Sequence, residues 1–465
     1  MSAPMLLVVA TVLLTGVALG MGRRPRAMAW IAGGGAGTLG MAVLLVPADA
    51  SLTLFGVGIK FSSQVQLLGR AMVLNAANRG LVAFLFLAAA FLFLGGWAAS
   101  PGRHFYWAGL AMVASLACSL MIEPFLYAAV FLMVSAMTGA LMLAETHAPA
   151  QRGAIRLLAY YTLAMMAILL AGWLLERTGV SAGAPELTRR TGLLLALGVA
   201  VVLLVPPFHL WVPAAMDESH PYNVAFLVLL MNAAGLFFLL RLLEANAWLR
   251  EVPSFLSFFR VAGIGMVTYG SLTGLAQRRF GRMLAYLAVA DGGAALVAIS
   301  AGGASGYLLG LGLTGARVLS LGCWALGLSV LRLRHSTDDE AGMTGALVRS
   351  PWASIAALIG ALGMAAYPMT CGFPGRWAVL LGHASGDVVA AALMLAGGAV
   401  AVSAVLRWTG IMAGGPRGRE PHTLGRGEVL FLGGGIALCL MVGVFPQLLF
   451  PWLLRAAAGL AGLTP

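Results

Sequence analysis

The chain has 465 residues, of which 61% are apolar and only 9% charged. Soluble domains carry roughly 25% charged residues, so this chain cannot cover a water-facing surface, and soluble enzymes are excluded. The formal net charge of +12 comes almost wholly from arginines in short clusters between apolar stretches, a topology pattern and not a nucleic-acid footprint.

A membrane-spanning helix needs about 20 apolar residues. In chain order the sequence predicts helices near 4–21, 27–46, 71–97, 105–122, 124–145, 154–175, 191–208, 223–247, 254–276, 282–301, 304–332, 351–370, 386–412 and 428–454. The expectation is therefore an all-α integral membrane protein of about fourteen spans. The first span has no basic stretch before it, and Arg23, Arg24 and Arg26 come after it, as for an uncleaved first helix. Basic clusters also follow span five (Arg152, Arg156), span nine (Arg278, Arg279), span eleven (Arg332, Arg334) and span thirteen (Arg417, Arg419, Arg426). All these loops share one side, expected to be the cytoplasm of a bacterial inner membrane, with both termini outside. The loop with Arg177, Arg189 and Arg190 breaks the pattern.

Two spans contain breakers. The seventh carries Pro206 and Pro207, which remove backbone donors and clash with the preceding turn. The twelfth runs into Pro368, Gly372, Pro374 and Gly375. Freed carbonyls cannot face lipid, so such breaks persist only where protein or water satisfies them. Paired interruptions in two halves of a chain point to a transporter fold with internal repeats.

The residues around these breaks carry a resemblance. Phe208-His209-Leu210-Trp211-Val212-Pro213, then Asn223 to Leu227 and Arg241, the stretch Gln277 to Tyr286, and Thr370 to Trp377 occur in this order. Together they resemble the antiporter-like membrane subunits of respiratory complex I, membrane-bound hydrogenases and Mrp cation/proton antiporters, the N-type subunit of complex I in particular. The resemblance implies two inverted five-helix repeats, here 105–247 and 254–412, with broken helices seven and twelve. It also implies partners: other membrane subunits of a complex I-like assembly, and a soluble redox or enzymatic module on the cytoplasmic side. Redox cofactors would belong to those partners, because this chain shows no flavin, nicotinamide, haem, cluster or metal motif. Cys118, Cys323, Cys371 and Cys439 are dispersed and are expected to serve packing.

In that family a Glu on helix five, Lys on helices seven and eight, and Lys or Glu on helix twelve form a proton path. Here span five holds no acid between Glu123 and Glu145, the helix-seven position falls on Val202, and the helix-eight position falls on Asn232. Val202 cannot carry a proton, and Asn232 cannot titrate. Asp291 stands at a helix-ten histidine position, and the helix-twelve cation is Arg376, which holds its proton permanently. Asp291 is either a functional intramembrane carboxylate or half of a structural pair with Arg317 or Arg376. His209 is expected to cap carbonyls freed by the break, with proton relay as the other reading, and Asn232 and His383 are further ion-path candidates beside Asp291, Arg317 and Arg376. Arg79 and Arg260 are expected to snorkel to the interface.

The expected function is an antiporter-like subunit of a complex I-related respiratory or hydrogenase-type complex, derived from cation translocation and either pumping or reduced to structure and coupling. Two other readings stay open on the sequence: a stand-alone carrier for a small anion, with Arg317 and Arg376 as ligands, and a scaffold that docks a soluble enzyme.

Overall fold

A computed structural model describes residues 2–21, 24–45, 51–54, 57–60, 62–67, 69–144, 151–178, 185–384, 386–415, 424–448 and 451. Arg23, Glu145, Arg417 and Arg419 lie outside the described residues.

The N-terminal half contains α1 (Ala3–Gly20), α2 (Pro25–Leu45), α3 (Ala76–Ala99), α4 (Phe105–Met121), α5 (Ala128–Leu143), α6 (Arg152–Thr178) and α7 (Pro185–Val202). After a break come α8 (Trp211–Glu218), α9 (Pro221–Ala245) and the short α10 (Ala247–Glu251). Then follow α11 (Pro253–Leu275), α12 (Phe280–Ser300) and α13 (Gly303–His335), with two single-turn helices, α14 (Glu340–Met343) and α15 (Ala346–Arg349). The chain continues through α16 (Pro351–Met364), a second break, α17 (Phe373–Ala384), α18 (Val388–Ala413) and α19 (Arg426–Val444). Among the described residues, eleven helices are long and apolar enough to cross a membrane, and α4 and α16 are shorter apolar helices.

The third span starts later than the sequence suggests. Arg70–Val73 pairs antiparallel with Gln64–Leu67 and with Ile122–Glu123, in a small sheet at one end of the bundle. Alternation of polar and apolar residues through Gln64–Leu67 suits a strand better than a helix. Asn75 then starts α3: its side chain accepts from Asn78 N at 3.1 Å, while Asn78 Oδ1 accepts from Asn75 N at 2.9 Å.

Both breaks are real interruptions. The seventh span was expected to reach residue 208, but α7 stops at Val202, where Leu204 adopts a left-handed backbone with φ +64° ahead of Pro206 and Pro207. The twelfth was expected to reach 370, but α16 stops at Met364, with Ala366 at φ +57° and Met369 at φ +67°. Left-handed backbone is costly for residues with a Cβ and persists where surrounding packing fixes it.

Small residues let helices meet backbone to backbone, as membrane bundles require. A Cβ on Gly293 of α12 would lie 2.4 Å from the Gly263 carbonyl oxygen of α11. The arginine-bearing loops gather at one end. Arg279 and Arg282 bind Asp217, and Arg332 binds Asp338 and the Met216 carbonyl. Arg407 binds Glu340 and the Gln277 carbonyl, Arg334 binds Glu428, and Arg156 reaches the Leu210 carbonyl. Loops after spans five, seven, nine, eleven and thirteen therefore share one face, as the alternation of helices demands.

Two arginines expected to snorkel have protein partners. Arg79 donates to the Val43 and Leu44 carbonyls at the end of α2, groups that a helix terminus leaves unpaired. Arg260 pairs with Asp387 at 3.0 Å.

Candidate functional site

Four elements place one polar cluster in the middle of the bundle. Asp291 lies eleven residues into α12, about 16 Å from its start at a helical rise of 1.5 Å per residue. That depth is the centre of a bilayer core about 30 Å thick. Asp291 is 4% exposed, Arg317 on α13 is 2%, Arg376 on α17 is 7% and Asn232 on α9 is 3%.

Sequence reasoning offered Arg317 or Arg376 as the partner of Asp291; the structure supplies both. Arg317 Nε donates to Asp291 Oδ2 at 2.5 Å, and Arg376 Nη2 donates to Oδ1 at 2.7 Å. Arg317 Nη1 also donates to Asn232 Oδ1, which ties α9 into the cluster. The second break makes the geometry possible, because it starts α17 anew and brings Arg376, in its first turn, inward to α12. Pro374 sits at the second position of α17, where a missing N–H costs little.

The cluster holds two guanidiniums and one carboxylate. Arginine does not release its proton, so with Asp291 ionised the group carries a fixed net charge of about +1. Protonating Asp291 would displace the charge-assisted hydrogen bond to one oxygen and weaken that to the other, with both guanidiniums still charged. The arrangement can clamp helices and set an electric field, and it is poorly built to pass protons.

Val202 is fully buried, and its Cγ1 would lie 2.5 Å from a Cβ on Gly235, one turn beyond Asn232 on α9. An apolar valine therefore fills the space beside the cluster on the first-half side.

His209 does not cap carbonyls as expected. Both its ring nitrogens are buried without a hydrogen-bond partner, and the ring packs against Tyr269 and Tyr286 at centroid distances of 5.1 and 5.8 Å. The Leu210 carbonyl is met by Arg156 instead, at 3.4 Å. His383 stays outside the cluster, with Nδ1 2.9 Å from the Val379 carbonyl one turn earlier on its own helix. Cys371 beside the second break lies 2.9 Å from Ser320 Oγ. Sequence reasoning passed over Asp217, Asp338 and Glu340; their signal was an acid in each arginine-bearing loop or next to it.

The NADH:quinone oxidoreductase/Mrp antiporter transmembrane family matches residues 185–402, the stretch that holds both breaks and all four cluster residues. That stretch, just under half of the chain, is similar to the antiporter-like membrane subunits. Among its relatives, NADH-quinone oxidoreductase subunit N 1 of Symbiobacterium thermophilum is 26% identical over 313 residues, which cover 61% of this chain and 62% of that protein. The chain spans less than two thirds of the length of such relatives, and 38% of subunit N of Methylovorus glucosotrophus, to which it is 28% identical over 40% of its own length. Its fold is that of a chain in the archaeal membrane-bound sulfane sulfur reductase, with a TM-score of 0.83 at 15% identity and 99% of both chains covered. A chain of Thermus thermophilus respiratory complex I has a TM-score of 0.78 at 22% identity, with 99% of this chain and 100% of that one covered.

Proposed function

We propose that this antiporter-like subunit works in a multi-subunit, complex I-related membrane assembly as a structural and coupling element, and that it no longer moves protons itself. The observation that carries this reading is the Arg317–Asp291–Arg376 cluster. Where the family places titratable groups along a path, this chain has a permanent charge held by two guanidiniums, with Asn232 and Val202 on its first-half side. Fixed ionic groups at mid-membrane set a local field in a medium of low dielectric constant even where their net charge is balanced, and they hold α12, α13 and α17 as one unit against an adjoining subunit.

The reading includes two inverted repeats, 105–247 and 254–412. It is supported by the two breaks, each with left-handed residues next to prolines: Leu204 in one, Ala366 and Met369 in the other. It also has the arginine-bearing face in the cytoplasm of a bacterial inner membrane and both termini outside, supported by the clustering of arginines on one face. Partner subunits would supply every redox group, with any soluble module docked on that face.

The test measures ion movement and assembly separately. Asp291→Asn in the assembled complex should leave ion flux through this subunit unchanged at its background level, because nothing is relayed there. Arg376→Ala should lower the yield of assembled complex or its coupled activity. A loss of flux in Asp291→Asn with assembly intact would replace this reading with translocation through Asp291 and water.

A further inference from the structure

The charges of the mid-membrane cluster do not cancel. One carboxylate serves two guanidiniums, and two of their donors, Arg317 Nη2 and Arg376 Nε, are buried with no hydrogen-bond partner. Each such donor in a water-free interior costs free energy, and an uncompensated charge costs far more. Among the described residues, the other ion-paired carboxylates are engaged elsewhere: Asp217 with Arg279 and Arg282, Asp338 with Arg332, Glu340 with Arg407, Glu428 with Arg334, Asp387 with Arg260, and Glu123 and Glu244 with Arg241. Asn232, the other described side chain bonded to the cluster, is neutral and already accepts from Arg317. Arg376 also lies in the first turn of α17, where the positive end of a helix dipole adds to the potential.

We infer that the Arg317–Arg376 pair binds a small monovalent anion of halide size as a resident counter-ion, which completes the neutralisation that Asp291 begins. Two unpartnered guanidinium donors on different helices, both bonded to one carboxylate, suit a spherical acceptor, and a single negative charge brings the cluster to neutrality. The anion is a structural ion held between α13 and α17, not a cargo, and the inference does not depend on the assembly reading.

Charge counting gives opposite expectations for the two partners of the pair. Arg376→Gln leaves Arg317 and Asp291 as a neutral pair, so the site loses its reason to bind an anion. Asp291→Asn raises the fixed charge by one and should tighten anion binding by roughly tenfold or more. The experiment is thermal unfolding of the full purified chain at constant ionic strength, with sodium gluconate replaced stepwise by sodium chloride or bromide. The wild-type melting temperature should rise and saturate with halide; Arg376→Gln should show no halide dependence; Asp291→Asn should be less stable in gluconate and respond at lower halide concentration. Equilibrium binding of radioactive chloride should give one site per chain in wild type and none in Arg376→Gln. A wild-type melting temperature equal in gluconate and chloride, or a halide response that survives Arg376→Gln, would overturn the inference. Both outcomes can be read even where Asp291→Asn does not fold.

Discussion

Asp291 shows how one residue takes its meaning from its partners. A lone carboxylate at mid-membrane reads as a proton carrier, but bound at 2.5 Å by Arg317 and at 2.7 Å by Arg376 it is the counter-charge of two permanent cations. Breaking a buried charge pair by removing one partner typically costs about 3–5 kcal/mol. Asp291→Ala should therefore destabilise the purified chain by about that amount in a thermal or denaturant titration, and a change under about 1 kcal/mol would remove the cluster from the fold's support. Val202→Lys should not create ion flux in vesicles. The new ammonium would enter an apolar site packed on Gly235, with no acid on α5 to pair with it, and the measurable result should be lost stability. His220, at the cap of α9, is expected to contribute to the pH dependence of stability. Burial, and then the nearby positive charge of Arg332, push its pKa from 6.5 down to about 4. The folded state thus prefers the neutral ring, and this contribution is complete above pH 6.5 and is lost as pH falls towards about 4. His220→Gln should lessen the fall of the melting temperature across that window; an unchanged slope would remove His220 from the pH dependence.

Among the elements, the breaks and the glycine contacts decide where the cluster sits. α12 can bring Asp291 to the bundle centre because it meets α11 at Gly263 and Gly293 with almost no space between backbones. Gly293→Ala would place a methyl 2.4 Å from the Gly263 carbonyl oxygen, so the two helices must part. Overpacking of this kind costs about 1–3 kcal/mol, and the melting temperature should fall accordingly. The sequence carries the breaks openly through Pro206, Pro207, Pro368 and Pro374. It does not carry where each helix stops, because the left-handed turns at Leu204, Ala366 and Met369 use residue types that give no sign of that conformation.

For the molecule as a whole, hydrophobic spans and arginine loops made the class and the common face of the odd loops legible, since both follow from transfer free energy and need no tertiary knowledge. The cluster was legible only in part. Its members were visible as ionisable residues in apolar stretches, but a sequence cannot say that α12, α13 and α17 converge on one carboxylate, or that Asn232 joins them from α9. His209 was assigned the wrong partner for the same reason: whether a ring meets a carbonyl or two tyrosines is settled by packing across three elements.

The proposed role requires that the chain sit inside a larger membrane assembly. The tagged chain can be purified in mild detergent and what accompanies it identified by mass spectrometry. Antiporter-like membrane subunits should be recovered with it, together with iron–sulfur proteins, in fixed proportion. Recovery of the chain alone, or only as a self-associated species active in ion transport, would contradict that role.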